Sequence, residues 1–319
     1  MLEIPDADAA GGMKAGYHHL RDRWTTRAGE WVLYAMAWTL RWITWPVPTW
    51  TLTGMLAPIG AALMLAVPKV RRRALDNLAL VWPDVPEVER RRIARGAARQ
   101  FTRLAVEYAR LDKVVRDLSI DVQGVEHLDA AKTAGKGGVL VSAHYGNWEA
   151  ARLAAMQAGA ETGIIYRAFN NRYLDRFTMD LIPCAGSPVL QKGRKGMRQL
   201  VAHVARGGFV MILVDQRNTG APQIDFMGHP SETVTAAADL AKRTGAALIP
   251  ARAVRNVAEK RFDVTFEAPV EGHDAQAMMA EVNARIGAWV EEHPEQWFWF
   301  HRRWRQTSRS RAATGAPET

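Results

Sequence analysis

From residue 120 onward, short apolar runs alternate with longer stretches whose apolar positions recur three and four apart. This is the pattern of strands separated by helices. Ile120 to Val125 reads as a short strand and Glu126 to Ala134 as a helix. Val139 to Ala143 then reads as a strand buried on both faces. Gly163 to Tyr166 is another strand, ending at Arg167. A helix from about Lys195 to Arg206 leads into the apolar run Phe209 to Val214, which ends at Asp215-Gln216. A helix from about Thr233 to Thr244 precedes the strand Ala247 to Ala253, and Arg261 to Glu267 alternates as an edge strand would. Met278, Val282, Ile286, Trp289 and Val290 mark an amphipathic helix that stops before Pro294. The fold expected is α/β, a mixed central sheet flanked by helices.

Ahead of that pattern the chain is helical and, in part, apolar throughout. Trp31 to Trp45 is apolar apart from Arg41 and is closed by Pro46 and Pro48; Trp50 to Val67 carries no charge but contains Pro58. A spanning helix needs roughly 20 apolar residues, so the second piece lies between spanning and interfacial. Lys69 and Arg71-Arg72-Arg73 follow at once, and basic flanks stay on the cytoplasmic side. Residues 69 to 112 read as two helices separated by Pro83 and Pro86. In the second, Ile93, Ala97, Phe101, Leu104 and Tyr108 form an apolar stripe opposite Arg90, Arg91, Arg92, Arg95, Arg99 and Arg103. The expected organisation is a polar segment over 1–30, a membrane-associated segment over 31–68, a catalytic domain over 69–305 and a disordered tail over 306–319. Within the domain, 69–118 is a helical lead-in and 119–305 the α/β core. The first 28 residues lack the basic-then-apolar order of a secretory signal.

Composition narrows the partners. The 319 residues carry 42 Lys plus Arg against 33 Asp plus Glu, a formal charge of +9, so the surface favours anions such as phosphorylated lipid, membrane headgroups or an acidic carrier protein. The single Cys184 excludes an internal disulfide. Twelve Trp residues crowd near the N-terminus and around 297–304. Indoles favour membrane interfaces, although an aromatic core would look the same. Nucleic-acid binding is disfavoured, because the basic residues are dispersed and no known binding module occurs. No dinucleotide fingerprint and no phosphate-binding P-loop is present.

The candidate chemistry centres on the turn after Val139 to Ala143. His144 leaves the carboxyl end of a strand, Asn147 or Gly146 can cap the next helix, and Glu149 falls in its first turn. A carboxylate five residues beyond a histidine can face it across such a turn and orient the imidazole as a base. Arg167 and Asp215 also end strands, and strand-end residues in an open sheet converge on one crevice. Taken singly, each has a plain structural reading: a surface histidine near a helix start, a salt bridge, a helix cap. A metal site is disfavoured, because helical ligand pairs sit three or four apart and no His/Cys cluster is nearby in sequence.

Ordered blocks along most of the chain resemble the late acyltransferases of lipid A biosynthesis, of the lauroyl/myristoyl type. They run from Arg71 to Asn77 with Leu80-Val81-Trp82-Pro83, through Gly124-Val125-Glu126-His127-Leu128, to Ser142-Ala143-His144-Tyr145-Gly146-Asn147-Trp148-Glu149. Tyr166-Arg167, Asn171-Arg172-Tyr173, Gly193-Arg194, Asp215-Gln216 and Phe226-Met227-Gly228 follow. Pro294-Glu295-Gln296-Trp297 and His301-Arg302-Arg303-Trp304 close the series. The related glycerolipid acyltransferases usually carry Asp where Glu149 stands, and the phosphatidylinositol mannoside acyltransferases look similar too. The resemblance implies a glycerolipid-acyltransferase-like fold at the cytoplasmic face of the inner membrane. It also implies acyl transfer from acyl carrier protein to a hydroxyl of a lipid A precursor, without cofactor or metal. His144 would be the general base and Glu149 its orienter. Arg167 and Arg194 would bind the acceptor's phosphates, Asp215 and Asn147 would belong to the substrate site with Asp215 positioning it, and a backbone N–H near Gly146 and the Arg167 side chain are the candidates for the oxyanion. The first alternative is an acyltransferase acting on another (lyso)phospholipid or glycolipid; the second, a non-enzymatic membrane-binding protein, gives no reason for three polar groups to end strands.

Overall fold

The computed structural model describes residues 24–304, apart from 167, 169 and 170. Arg167, expected in the site, and most of the two terminal segments therefore lie outside the described residues. In chain order the strands are β1 (Ile120–Gln123), β2 (Gly138–Ser142), β3 (Thr162–Tyr166), β4 (Val189–Gln191), β5 (Phe209–Leu213), β6 (Gln223–Phe226), β7 (His229–Glu232), β8 (Ala247–Asn256) and β9 (Arg261–Phe266). Seven of them form one sheet in the order β1-β9-β8-β2-β5-β3-β4, and β6 and β7 form a separate antiparallel hairpin. The large sheet is parallel except where β8 meets β9.

The helices are α1 (Trp24–Ile43), α2 (Thr49–Ala66), α3 (Pro68–Val81), α4 (Glu87–Tyr108), α5 (Leu111–Asp117), α6 (Val125–Thr133), α7 (Trp148–Gln157), α8 (Arg172–Leu181), α9 (Arg194–Ala205), α10 (Ala236–Thr244) and α11 (Ala275–Glu292). Strand β2 is buried along its whole length because helices cover both faces. Val139 and Val141 point into a core shared with α9, α10 and α11, and Leu140 points the other way into a core shared with α7. Each such side chain contributes roughly 1.5–3 kcal/mol by leaving water.

Two expectations need correction. The alternating segment 261–267 is not an edge: β9 lies between β1 and β8. Its alternation records one well-buried face, and β1, the true edge, covers its outer backbone. Phe101 is not core: it is 39% exposed, and its ring stacks on Phe298 at 4.6 Å between centroids.

The Trp residues divide. Trp289, Trp297, Trp299 and Trp304 are buried, whereas Trp31, Trp38 and Trp42 on α1 are exposed. Arg41, which interrupts the first apolar piece, pairs with Asp112 at 2.6 Å and ties α1 to α5. Among the described residues α2 alone is long and apolar enough to cross a membrane, and only 22% of it is buried.

Candidate active site

His144 and Asp215 meet because of strand register. Ser142 at the end of β2 pairs with Leu213 at the end of β5, and Val214 N–H donates to Ser142 O at 3.0 Å. Two residues further along parallel strands, His144 and Asp215 arrive side by side. The segment after α11 then lies against this end of the sheet. Phe298 N–H donates to His144 O and Gly146 N–H to Gln296 O, with Tyr145 bridged to Trp297. The fit requires glycine at 146: φ is 54°, and a Cβ would stand 1.7 Å from Ala253 O.

The Asp215 carboxylate is fully buried and accepts three hydrogen bonds. His144 Nδ1 lies 2.7 Å from Oδ1, while His144 N–H and Trp297 Nε1 each donate to Oδ2 at 2.9 Å. Burial alone would push its pKa up, but the His144 imidazole and its hydrogen bonds outweigh that and hold the carboxyl well below the usual range. An ionised Asp215 can only accept, so Nδ1 carries the proton and Nε2 presents its lone pair. Gln216 Nε2 donates to that lone pair at 3.2 Å. The His144 side chain is 18% exposed, enough to admit a reacting hydroxyl.

Aromatic rings wall the imidazole. Trp148 meets it edge-on at 5.2 Å and His301 at 4.7 Å, and Phe298 packs on His301 at 4.4 Å. Burial, with His144 adding, pushes the His301 pKa down to about 4, while Asp215 pulls the other way. Its Nε2 is buried and has no hydrogen-bond partner among the described residues. His301 is held in place from α3, where Asn77 Nδ2 donates to Trp299 O at 2.7 Å and to His301 O at 2.8 Å. One turn earlier Arg73 donates to Phe300 O at 3.2 Å; burial and the neighbouring Arg302 lower its pKa. The ligand-capable atoms of His144, Asp215 and His301 lie within 4.8 Å of one another, a set that could take a divalent cation. Such an ion would compete with the two His144 hydrogen bonds and the Trp297 bond, which occupy three of the roughly four acceptor sites of Asp215.

The expected pairing of Glu149 with His144 is not what the structure has. Glu149 is the second residue of α7 and turns into the protein, 2% exposed, where it accepts from Tyr108 Oη at 2.5 Å and ion-pairs with Arg152 at 2.7 Å. The side chain points away because α7 starts with Trp148 against His144, which puts position 149 on the adjacent, buried face. Tyr108 also accepts from Trp148 Nε1 at 2.7 Å, so Glu149 reaches His144 only through Tyr108 and the Trp148 ring.

Asn147 caps α7, accepting from Glu149 N–H at 3.0 Å, and its amide donates to Glu107 at 2.9 Å. Glu107 is in turn doubly bonded to Arg255 at 2.6 Å. Asn147 is thus 1% exposed and bonded at both ends. Gly146 N–H is used by Gln296 O and is not free for an oxyanion. Arg194 is exposed at the start of α9, beyond the edge strand β4, and β5 and β3 separate that strand from β2.

Of the expected site residues the structure brings together His144 and Asp215, while Asn147, expected at the substrate, is a buried helix cap bonded to Glu107; Gln216, Trp297 and His301 were not expected as site groups. All three stand in the blocks that carry the family resemblance, which was the signal available for them.

Residues 19–306 match the sequence model described as bacterial lipid A biosynthesis acyltransferase. The chain is 30% identical over 198 residues to the phosphatidylinositol mannoside acyltransferase of Mycobacterium tuberculosis, covering 60% of this chain and 62% of that protein. It is 26% identical over 299 residues to the lipid A biosynthesis palmitoleoyltransferase of Escherichia coli, covering 88% and 91%. A lipid A biosynthesis acyltransferase of Haemophilus influenzae is 23% identical over 239 residues.

Proposed function

Because the chain belongs to the bacterial lipid A biosynthesis acyltransferase family, we propose that it transfers a fatty acyl chain to a hydroxyl of a phosphorylated glycolipid. Acyl carrier protein is the donor and a lipid A precursor the acceptor. The observation that carries this reading is the His144 Nε2 lone pair, met by the exposed amide of Gln216, with Nδ1 fixed on a buried, ionised Asp215.

The acceptor hydroxyl takes the place of Gln216 at Nε2 and gives its proton to the imidazole as its oxygen attacks the thioester carbonyl. The C–S bond then breaks, and the thiolate leaves with the proton from the imidazolium. Asp215 keeps the imidazole in the right tautomer and balances its transient charge, as carboxylates do for catalytic histidines. The base contributes roughly 10²–10⁴-fold in rate. Gln216, once displaced, supplies an amide N–H for the oxygen that gains charge. Glu149 acts as a positioning residue through Tyr108 and Trp148.

Arg73, which donates to Phe300 O, and its neighbour Arg302 suit an acceptor phosphate, with Arg167 and Arg194 as further candidates. Helix α2 and the basic start of α3 hold the enzyme at the cytoplasmic face of the inner membrane. The similarity to the mycobacterial enzymes supports a phosphatidylinositol mannoside as the second acceptor to test.

The test is an assay with membranes, acyl-acyl carrier protein and a tetraacylated lipid A precursor, comparing wild type with His144→Ala. Product with wild type alone is the expected result. Equal product with both removes His144 as the base.

A further inference from the structure

Helix α4 presents arginines to two neighbouring hollows. One, of about 500 Å³, lies between α2, α3 and α4, with an apolar floor that includes Pro58, Ala62, Leu65 and Leu75. Arg71, Arg91, Arg95 and Arg99 rim it. The other, of about 300 Å³, lies between α4, β8 and the turn at 294–296, where Arg92, Arg95, Arg99, Arg103 and Arg255 face Glu295. The two hollows share Arg95 and Arg99.

Most of the other cations are occupied: Arg91 by Glu87, Arg92 by Glu89 and Arg255 by Glu107, while Arg71 donates to Leu65 O. Arg95, Arg99 and Arg103 make no hydrogen bond or ion pair among the described residues, and Arg103 is lowered in pKa by burial and by Arg255. Glu295 is the one carboxylate among the residues lining the two hollows, so their arginines outnumber it and a further anion would be favoured there.

The apolar hollow opens beside an exposed stripe of α2, Met55, Ile59, Leu63 and Val67, which are between 48% and 68% exposed. Their spacing of four puts them on one face, next to that of Pro58, Ala62 and Ala66. We propose that the two hollows form one site for an anionic phospholipid of the bilayer. One acyl chain lies along Pro58, Ala62 and Leu65, and the phosphate rests on Arg95 and Arg99.

Each half of the site excludes a class of occupant. A free acidic protein would leave the apolar floor wet, and a neutral lipid would leave the arginines unpaired. The lining contains none of His144, Asp215, Gln216 or His301. The occupant is therefore a resident lipid, apart from the reacting acceptor. It sits against the same Arg255–Glu107 pair that holds the Asn147 cap, so filling the cleft steadies the turn that follows His144.

The test uses the full chain purified in neutral detergent, vesicles of phosphatidylcholine with or without phosphatidylglycerol, and native mass spectrometry of retained lipid. Wild type retains one phosphatidylglycerol and floats with the anionic vesicles. Arg95→Gln/Arg99→Gln weakens flotation by roughly 25-fold, at about fivefold for each basic residue at an anionic surface, and loses the retained lipid. Ala62→Trp, which fills the exposed hollow, also loses it. Arg206→Gln/Arg243→Gln removes the same charge from exposed positions that line neither hollow, and keeps it.

Equal weakening by the two double variants would reduce the effect to surface charge and overturn the site. So would retention by Ala62→Trp, or phosphatidylcholine held as firmly as phosphatidylglycerol. Thermal melting of each variant verifies folding. None of these readouts involves acyl transfer, so the site can fail while the proposed reaction stands.

Discussion

Two buried carboxylate clusters flank the turn from Tyr145 to Asn147, and they differ in what the carboxylates face. On one side Asp215 meets imidazoles, His144 directly and His301 close by. On the other, Glu107 and Glu149 meet guanidinium groups, those of Arg255 and Arg152. A guanidinium keeps its proton throughout the working range, so Glu107–Arg255 and Glu149–Arg152 are fixed charges that lock the chain in place. An imidazole can both take up and release a proton, so the Asp215 side is suited to proton chemistry. Comparable burial gives a brace in one cluster and the proposed reactive centre in the other.

The comparison breaks first on turnover. Asp215→Asn should lower kcat by roughly 10²–10⁴-fold, because an amide at Nδ1 no longer fixes the tautomer, and Glu149→Gln should lower it far less. Equal losses, measured per folded molecule, would mean that both carboxylates act on the base. Stability reads the opposite way. Glu107→Ala leaves Arg255 buried and unpaired, which should cost about 3–5 kcal/mol in denaturant unfolding while the folded fraction still turns over. A stability equal to wild type would show that Arg255 finds another partner.

The smallest effect concerns pH. The His301 pKa is depressed from 6.5 to about 4, so the folded state resists a proton that the unfolded chain accepts. Its contribution is complete above pH 6.5 and drains away as pH falls to about 4, by about 3 kcal/mol in all. His301→Gln should remove that slope from the stability profile. An unchanged slope would assign it to another group.

The strands that carry the site were legible because an apolar run followed by a polar residue has few other readings: Val139 to Ala143 before His144, Phe209 to Val214 before Asp215. The short strands β4, β6 and β7 were not, since His229–Glu232 is polar, contains proline and pairs only within a hairpin. The partner of His144 was misjudged for a physical reason. Spacing along one turn argues for Glu149, whereas the observed partner comes from a parallel neighbour 71 residues away, and only strand order decides that. The brace was beyond reach for the same reason, because Glu107 and Arg255 are 148 residues apart. The resemblance to lipid A acyltransferases already contained Gln216, Trp297 and His301, but without coordinates nothing separated them from packing residues.

The short stretch from Gln296 to His301 has a consequence for how the protein is made. A ribosome that has released β5 has already supplied both His144 and Asp215. The indole that bonds Asp215 and the imidazole that backs His144 are still some 80 residues from synthesis. Because that late stretch also bonds the backbone of His144 and Gly146, the site around His144 cannot be complete until nearly the whole chain has been made. Helix α2 emerges more than 200 residues earlier, so the apolar helix of the proposed membrane contact is available long before the site around His144 is complete.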